Sequence, residues 1–209
     1  VDAVGLADLG RPETADGLRE RLDAVLPAAP RLLSAGLADA HCAPRHPRAM
    51  LDAIRRLAPH AQRWVLDADE VALLTGRPCP DAGALREGGR RLFDLGCPLL
   101  LLCGGRTEGH AVDFAYDGRD FTEFGADRAP GDGLHGAKAV LTADLLARLA
   151  RGEAWLPAVE AAKEAVSAAL AAPSPLPEAR RAAPLAQAWR ALSRDPAPIT
   201  ATPPAEGAG

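Results

Sequence analysis

Gly131-Asp132-Gly133-Leu134-His135-Gly136-Ala137-Lys138 is a glycine-rich loop that runs straight into an apolar series, Val140, Leu141, Leu145, Leu146 and Leu149. Leu141, Leu145 and Leu149 recur at i, i+4 and i+8, which is one face of a helix. A loop feeding a helix in this way gathers unpaired backbone N–H groups and the positive end of the helix dipole at one point. That arrangement suits a phosphate or an oxyanion. A tight turn into a core helix reads the same way, so the loop by itself does not separate the two. Elsewhere, His41, Cys42 and His46 match no common metal-ligand spacing, and Pro44 lies between them. Asp144 and Glu160 fall on helices and read as solvated faces. No P-loop, HExxH or GxSxG pattern occurs.

The elements that must position the loop alternate between strand and helix. Residues 1–6 read as a short strand, and Pro12 opens a helix whose buried stripe is Leu18, Leu22, Val25 and Leu26. Residues 31–35 form a second strand and residues 36–47 a polar loop. Met50, Leu51, Ile54, Leu57 and Ala58 mark a helix, and Arg63-Trp64-Val65-Leu66 a third strand. Asp67-Ala68-Asp69-Glu70 caps the next helix, which ends at Thr75-Gly76. Residues 81–95 are helical, weakened by Gly88 and Gly89. The apolar run Pro98 to Cys103 suits a central strand buried on both faces, closed by Gly104-Gly105. Residues 110–116 and 119–124 alternate as a hairpin around Asp117-Gly118. Two long helices follow, the second over residues 158–171.

This order predicts an α/β fold: a mostly parallel sheet with helices on both faces, with function at the carboxyl ends of the strands. The 209 residues are 48% hydrophobic and 25% charged, enough for one domain with a sizeable core. A net charge of −4 leaves no electrostatic footprint for nucleic acid or an anionic membrane. The longest apolar run is too short to span a bilayer. Four cysteines without a CxxC pair are expected as thiols in a reducing cytoplasm. Among 24 basic residues, Lys138 and Lys163 are the only lysines. The proline-rich stretch from Pro173 changes the composition, and residues 196–209 are expected to be a disordered tail.

His135-Gly136-Ala137-Lys138-Ala139-Val140-Leu141-Thr142 resembles the Thr-His-Gly-Thr-Gly-Cys-Thr-Leu-Ser stretch of the hydroxymethylpyrimidine and phosphomethylpyrimidine kinases. These are thiamine-pathway members of the ribokinase-like family. Val65-Leu66-Asp67-Ala68-Asp69-Glu70-Val71-Ala72-Leu73-Leu74-Thr75-Gly76 is similar to the family's Thr-Pro-Asn-Leu-Pro-Glu-Ala-Glu-Leu-Leu-Thr-Gly. Leu102-Cys103-Gly104-Gly105-Arg106 takes the place of Val-Lys-Gly-Gly-His, and Val1-Asp2-Ala3-Val4 with Leu9-Gly10 resembles the family's Val-Asp-Ala-Val-Lys-Ile-Gly-Met-Leu-Gly. Asp113 and the hairpin to Phe124 resemble the family's Asp-x-Leu-Tyr-Asp-Gly region and read as structural. The resemblance covers residues 1–171.

The resemblance implies a ribokinase-like three-layer sandwich over residues 1–172, lacking its N-terminal part, followed by a Pro/Ala-rich extension over 173–209. A segment carrying the opening strand and much of the pyrimidine pocket precedes this point in complete members, so a fragment, or a protein whose N-terminal part is not represented, is expected. ATP and Mg2+ are the implied cofactors, a pyrimidine alcohol or its monophosphate the substrate, and a homodimer the implied assembly. Asp67 and Glu70 would organise the metal, since Mg2+ takes oxygen ligands, partly through water. Their alternative role is to favour a helix N-terminus. Cys103, Gly104, Gly105 and Arg106 would contact the nucleotide, although the glycines also make a plain turn. Gly136, Ala137 and Lys138 would form the anion hole, with Lys138 otherwise a solvated lysine at a helix start. Ala139 stands where the family has its catalytic cysteine. Ser34, Asp67, Cys103 and Ala139 depart from the family's residues, so two readings stand: a kinase, or a pseudoenzyme of the same fold that binds or regulates.

Overall fold

The computed structural model describes residues 3–7, 11–25, 29–34, 36–37, 48–104, 111–127 and 136–171. Its centre is a six-stranded sheet of β1 (Val4–Ala7), β2 (Arg31–Ser34), β3 (Arg63–Asp67), β4 (Leu99–Cys103), β5 (Ala111–Tyr116) and β6 (Phe121–Ala126). The strands lie in chain order, β1 to β4 parallel and β5 and β6 antiparallel. The connections between the parallel strands carry α1 (Pro12–Val25), α2 (Arg48–Leu57) with a 3-10 turn at Ala58–His60, and then α3 (Ala68–Thr75) and α4 (Ala82–Asp94). Parallel neighbours joined in chain order put all their crossovers on one face, because such crossovers share one hand. After the hairpin, α5 (Ala137–Ala150) and α6 (Trp155–Ala171) return along the other face.

Side-chain alternation divides the core accordingly. Leu33, Trp64, Leu66, Leu100 and Leu102 pack with Leu22, Ile54, Leu74 and Leu85 on the first face. Leu32, Val65 and Leu101 pack with Leu141, Leu145, Leu149, Val159 and Ala162 on the second. The expected three-layer arrangement is therefore present, with β3 and β4 buried on both sides.

Several local expectations change. Gly88 and Gly89 are not weak points of α4 but its contact surface. A Cβ on Gly89 would sit 2.6 Å from Leu102 Cδ1, and one on Gly88 would collide with Val71 Cγ1. The hairpin turn has four residues, not two, because Tyr116 pairs with Phe121. Asp117 Oδ1 accepts the Arg119 and Asp120 N–H groups at 2.8 and 2.9 Å, and Gly118 takes a φ of 94°. The last helix begins at Trp155, three residues before the expected start, with Pro157 in its first turn, where a missing N–H costs nothing. Asp144 is buried, not solvated, and accepts a bond from Arg148 Nε at 2.8 Å. Among the described residues, no helix is long and apolar enough to cross a membrane.

Candidate functional site

Asp67 ends β3, Cys103 ends β4, and the two are register partners. Because Arg63, Val65 and Asp67 alternate with Trp64 and Leu66, Asp67 belongs to the face covered by α5 and α6. Asp67 is also the N-cap of α3 in a capping box. Its Oδ1 accepts the Glu70 N–H at 3.0 Å, and Glu70 Oε2 accepts the Asp67 N–H at 3.0 Å. The capping role expected from the acidic first turn is thus met. Glu70 is fully buried, and its Oε1 accepts the Leu37 N–H at 2.9 Å, which ties the end of the β2 segment to α3.

The N-terminus of α5 arrives at the same place. Gly136 is its N-cap with φ 91°, a conformation glycine tolerates, and it supplies no capping side chain to the first-turn N–H groups. From that turn Lys138 reaches across, placing Nζ 2.9 Å from Asp67 Oδ2 and 2.5 Å from Glu70 Oε2. The expectation of a solvated lysine is overturned, since its side chain is 24% exposed and bridges two carboxylates. Burial opposes its charge, but Glu70 and Asp67 outweigh that cost and hold the ammonium above the ordinary lysine value. Ala139, one residue on, is exposed and carries only a methyl group.

A second ion pair flanks the first, and sequence spacing gives no sign of it. Asp113 on β5 is the register partner of Cys103 and is buried. Its Oδ1 accepts the Gly104 N–H at 3.0 Å, and Oδ2 lies 2.6 Å from Lys163 Nζ on α6. The Asp113 carboxylate thereby links Gly104, just after β4, to α6. Burial pushes the Cys103 thiol well above its ordinary value. Asp113 adds to that shift, while Lys138 and Lys163 work against it. The signal was present in composition: in a chain whose basic residues are otherwise arginines, both lysines pair with carboxylates around the carboxyl ends of β3 and β4.

Gly105 and Arg106 lie outside the described residues, as do the loop residues 131–135 and His41, Cys42 and His46. What is assembled is a junction at the carboxyl ends of β3 and β4, with the N-termini of α3 and α5 beside it. That is where α/β folds place anionic ligands.

The phosphomethylpyrimidine kinase family model matches residues 39–183, more than half of the chain. This chain belongs to the phosphomethylpyrimidine kinase family. Among family relatives, the hydroxymethylpyrimidine/phosphomethylpyrimidine kinase of Streptomyces coelicolor is 35% identical over 127 residues, covering 60% of this chain and 47% of the relative. A thiamine biosynthesis bifunctional protein of Geobacter sulfurreducens is 33% identical over 122 residues, covering 58% and 25% respectively. The chain thus spans less than half the length of these relatives. In three dimensions it is similar to the ADP complex of Bacillus subtilis pyridoxal kinase, with a TM-score of 0.75 at 23% identity, covering 87% of this chain and 68% of that one. It is also similar to the phosphomethylpyrimidine kinase of Clostridium difficile, with a TM-score of 0.68 at 19% identity over 81% and 69%. These likenesses establish the ribokinase-like fold.

Proposed function

We propose that the protein carries out ATP-dependent phosphorylation of hydroxymethylpyrimidine or its monophosphate, a step of thiamine biosynthesis, in the cytoplasm. The observation that carries this reading is the arrival of the α5 N-terminus, which has no side-chain cap, at the ends of β3 and β4, in a chain of this family. Phosphoryl transfer asks mainly for positioning and for charge stabilisation around the phosphate, and helix N-termini supply both. Gly136 and the backbone of Ala137 and Lys138 are the anion-binding segment. Gly104, with Cys103, Gly105 and Arg106, is the nucleotide-side segment, held by the Asp113 carboxylate at Gly104. The ADP in the Bacillus subtilis complex supports ATP as the donor. A homodimer belongs to the same reading.

The resemblance also implies Mg2+ at Asp67 and Glu70. The donor set here fits direct coordination poorly. Both Glu70 oxygens accept backbone N–H groups, and Oε2 also meets Lys138. Asp67 is occupied in the same way, by the Glu70 N–H at one oxygen and Lys138 at the other.

The reading of a fold-retaining pseudoenzyme draws on one observation, the Ala139 methyl group where the acceptor hydroxyl would need a proton partner. Family membership favours the kinase. A coupled assay for ADP release with ATP and hydroxymethylpyrimidine decides between them. Substrate-dependent ADP release is expected from the native chain. Ala139→Cys is expected to raise it by about a hundredfold, the scale of a positioned acid–base group. No substrate-dependent release from either protein, with ATP binding retained, would favour the pseudoenzyme.

A further inference from the structure

We propose that Lys138 is a built-in cation filling the position that Asp67 and Glu70 would offer a divalent metal ion, so that the site holds no metal of its own. The Glu70 carboxylate is fully buried and needs a compensating charge. Lys138 Nζ supplies it at 2.5 Å and reaches Asp67 at 2.9 Å in the same step. The two carboxylates are locked relative to each other by the capping box, so their separation is set before any cation arrives. The lysine comes from another part of the chain, 71 residues away, and from the first turn of α5, whose backbone is the candidate anion site.

The chemistry of the cation decides what this pocket accepts. Mg2+ demands near-octahedral oxygen ligands at about 2.0–2.1 Å and keeps several waters. An ammonium needs only acceptors at hydrogen-bond distance, and this one has two. With Lys138 in place, all four carboxylate oxygens have donors. No cluster of three or more metal-ligating side chains exists among the described residues. The cation is covalently attached, so its occupancy does not depend on metal concentration. The proposal takes only the identity of the competing cation from the kinase reading, and it concerns occupancy rather than turnover.

The test therefore contains no nucleotide and no substrate. Mn2+, read by the paramagnetic signal of the free ion, is titrated into the full chain, into Lys138→Gly and into Lys138→Gly with Glu70→Gln. The native chain should bind Mn2+ no better than the double variant, and Lys138→Gly should bind one ion about tenfold tighter or more. Equal binding by the native chain and Lys138→Gly would overturn the proposal, as would Lys138→Gly binding no better than the double variant. Removing the lysine strips the partner from a buried carboxylate, so a second measurement uses the native protein. With two lysines in the chain, two side-chain ammonium 15N resonances are expected. The Lys138 signal should stay unchanged on adding Mg2+, and its displacement would overturn the assignment even with an inactive protein.

Discussion

Asp113 shows how much a single residue can organise when it is buried with two partners. It lies on β5, facing α6. One oxygen holds the Gly104 N–H, and the other holds Lys163, whose side chain is only 13% exposed. Removing one member of a buried pair leaves the other charged and unpartnered, which costs about 3–5 kcal/mol. Replacing both members with apolar or neutral groups is far milder. Lys163→Met is therefore expected to lower stability by about 3 kcal/mol in urea unfolding. Adding Asp113→Asn should recover part of that loss, because the unpaired carboxylate is gone. Independent, additive losses would show that the pair is not coupled. The spacing of Asp113 and Lys163 in the sequence carries no hint of this contact. They are 50 residues apart and on different element types. Glu70 differs, since its capping box with Asp67 spans three residues and is legible directly from the sequence. The third partner of Glu70, the Leu37 N–H, is not.

At the scale of elements, helix α4 separates propensity from packing. Gly88 and Gly89 look like flaws in a helix, because glycine costs about 1 kcal/mol there relative to alanine. The fold needs them small: Gly89 lies against Leu102 of β4, with Phe121 also close by. Gly17 in α1 is exposed, and a methyl carbon placed there would meet nothing within 4 Å. Two identical substitutions should therefore act in opposite directions. Gly17→Ala is expected to stabilise by about 0.5–1 kcal/mol. Gly89→Ala is expected to destabilise by about 1–3 kcal/mol through overpacking. Thermal melts of the two variants check this, and a rise in Tm for Gly89→Ala would refute the close-approach argument. The hairpin offers a similar lesson: Asp117-Gly118 located the turn correctly, but the Tyr116–Phe121 pairing lengthened it. The stacking of those two rings, with centroids 4.1 Å apart, rewards that register.

Over the whole molecule, burial of ionisable groups sets the response to alkali. Burial pushes the Cys97 thiol up to about 12 and the Cys103 thiol well above its usual value. Lys138 is raised above the lysine value of 10.5 by its carboxylates, against the cost of burial. All three shifts are upward. Each contribution is thus complete below the unfolded-state value and is lost as pH climbs through the folded-state one. The thiols of the unfolded chain are half ionised near pH 9, while the folded chain keeps the protons of Cys97 and Cys103 there. Stability should be level to about pH 8.5 and then fall, each thiol adding a slope of up to about 1.4 kcal/mol per pH unit. Urea midpoints measured from neutral to alkaline pH test this, with Cys97→Ala expected to give a shallower decline. A midpoint indifferent to pH across that range would contradict the assigned burial.

The sequence by itself determined the alternation of strands and helices, the doubly buried strand at Leu99–Cys103, the acidic cap at Asp67 and Glu70, and the family. Those features are local, because periodicity and capping act within a turn or two of chain. Tertiary structure alone decided that Lys138 would meet Asp67 and Glu70, that Lys163 would meet Asp113, and that Gly88 and Gly89 would be contacts. Each depends on which face of the sheet a strand residue takes and where a later helix crosses it. That follows from how the chain packs around the sheet, which no stretch of residues encodes alone.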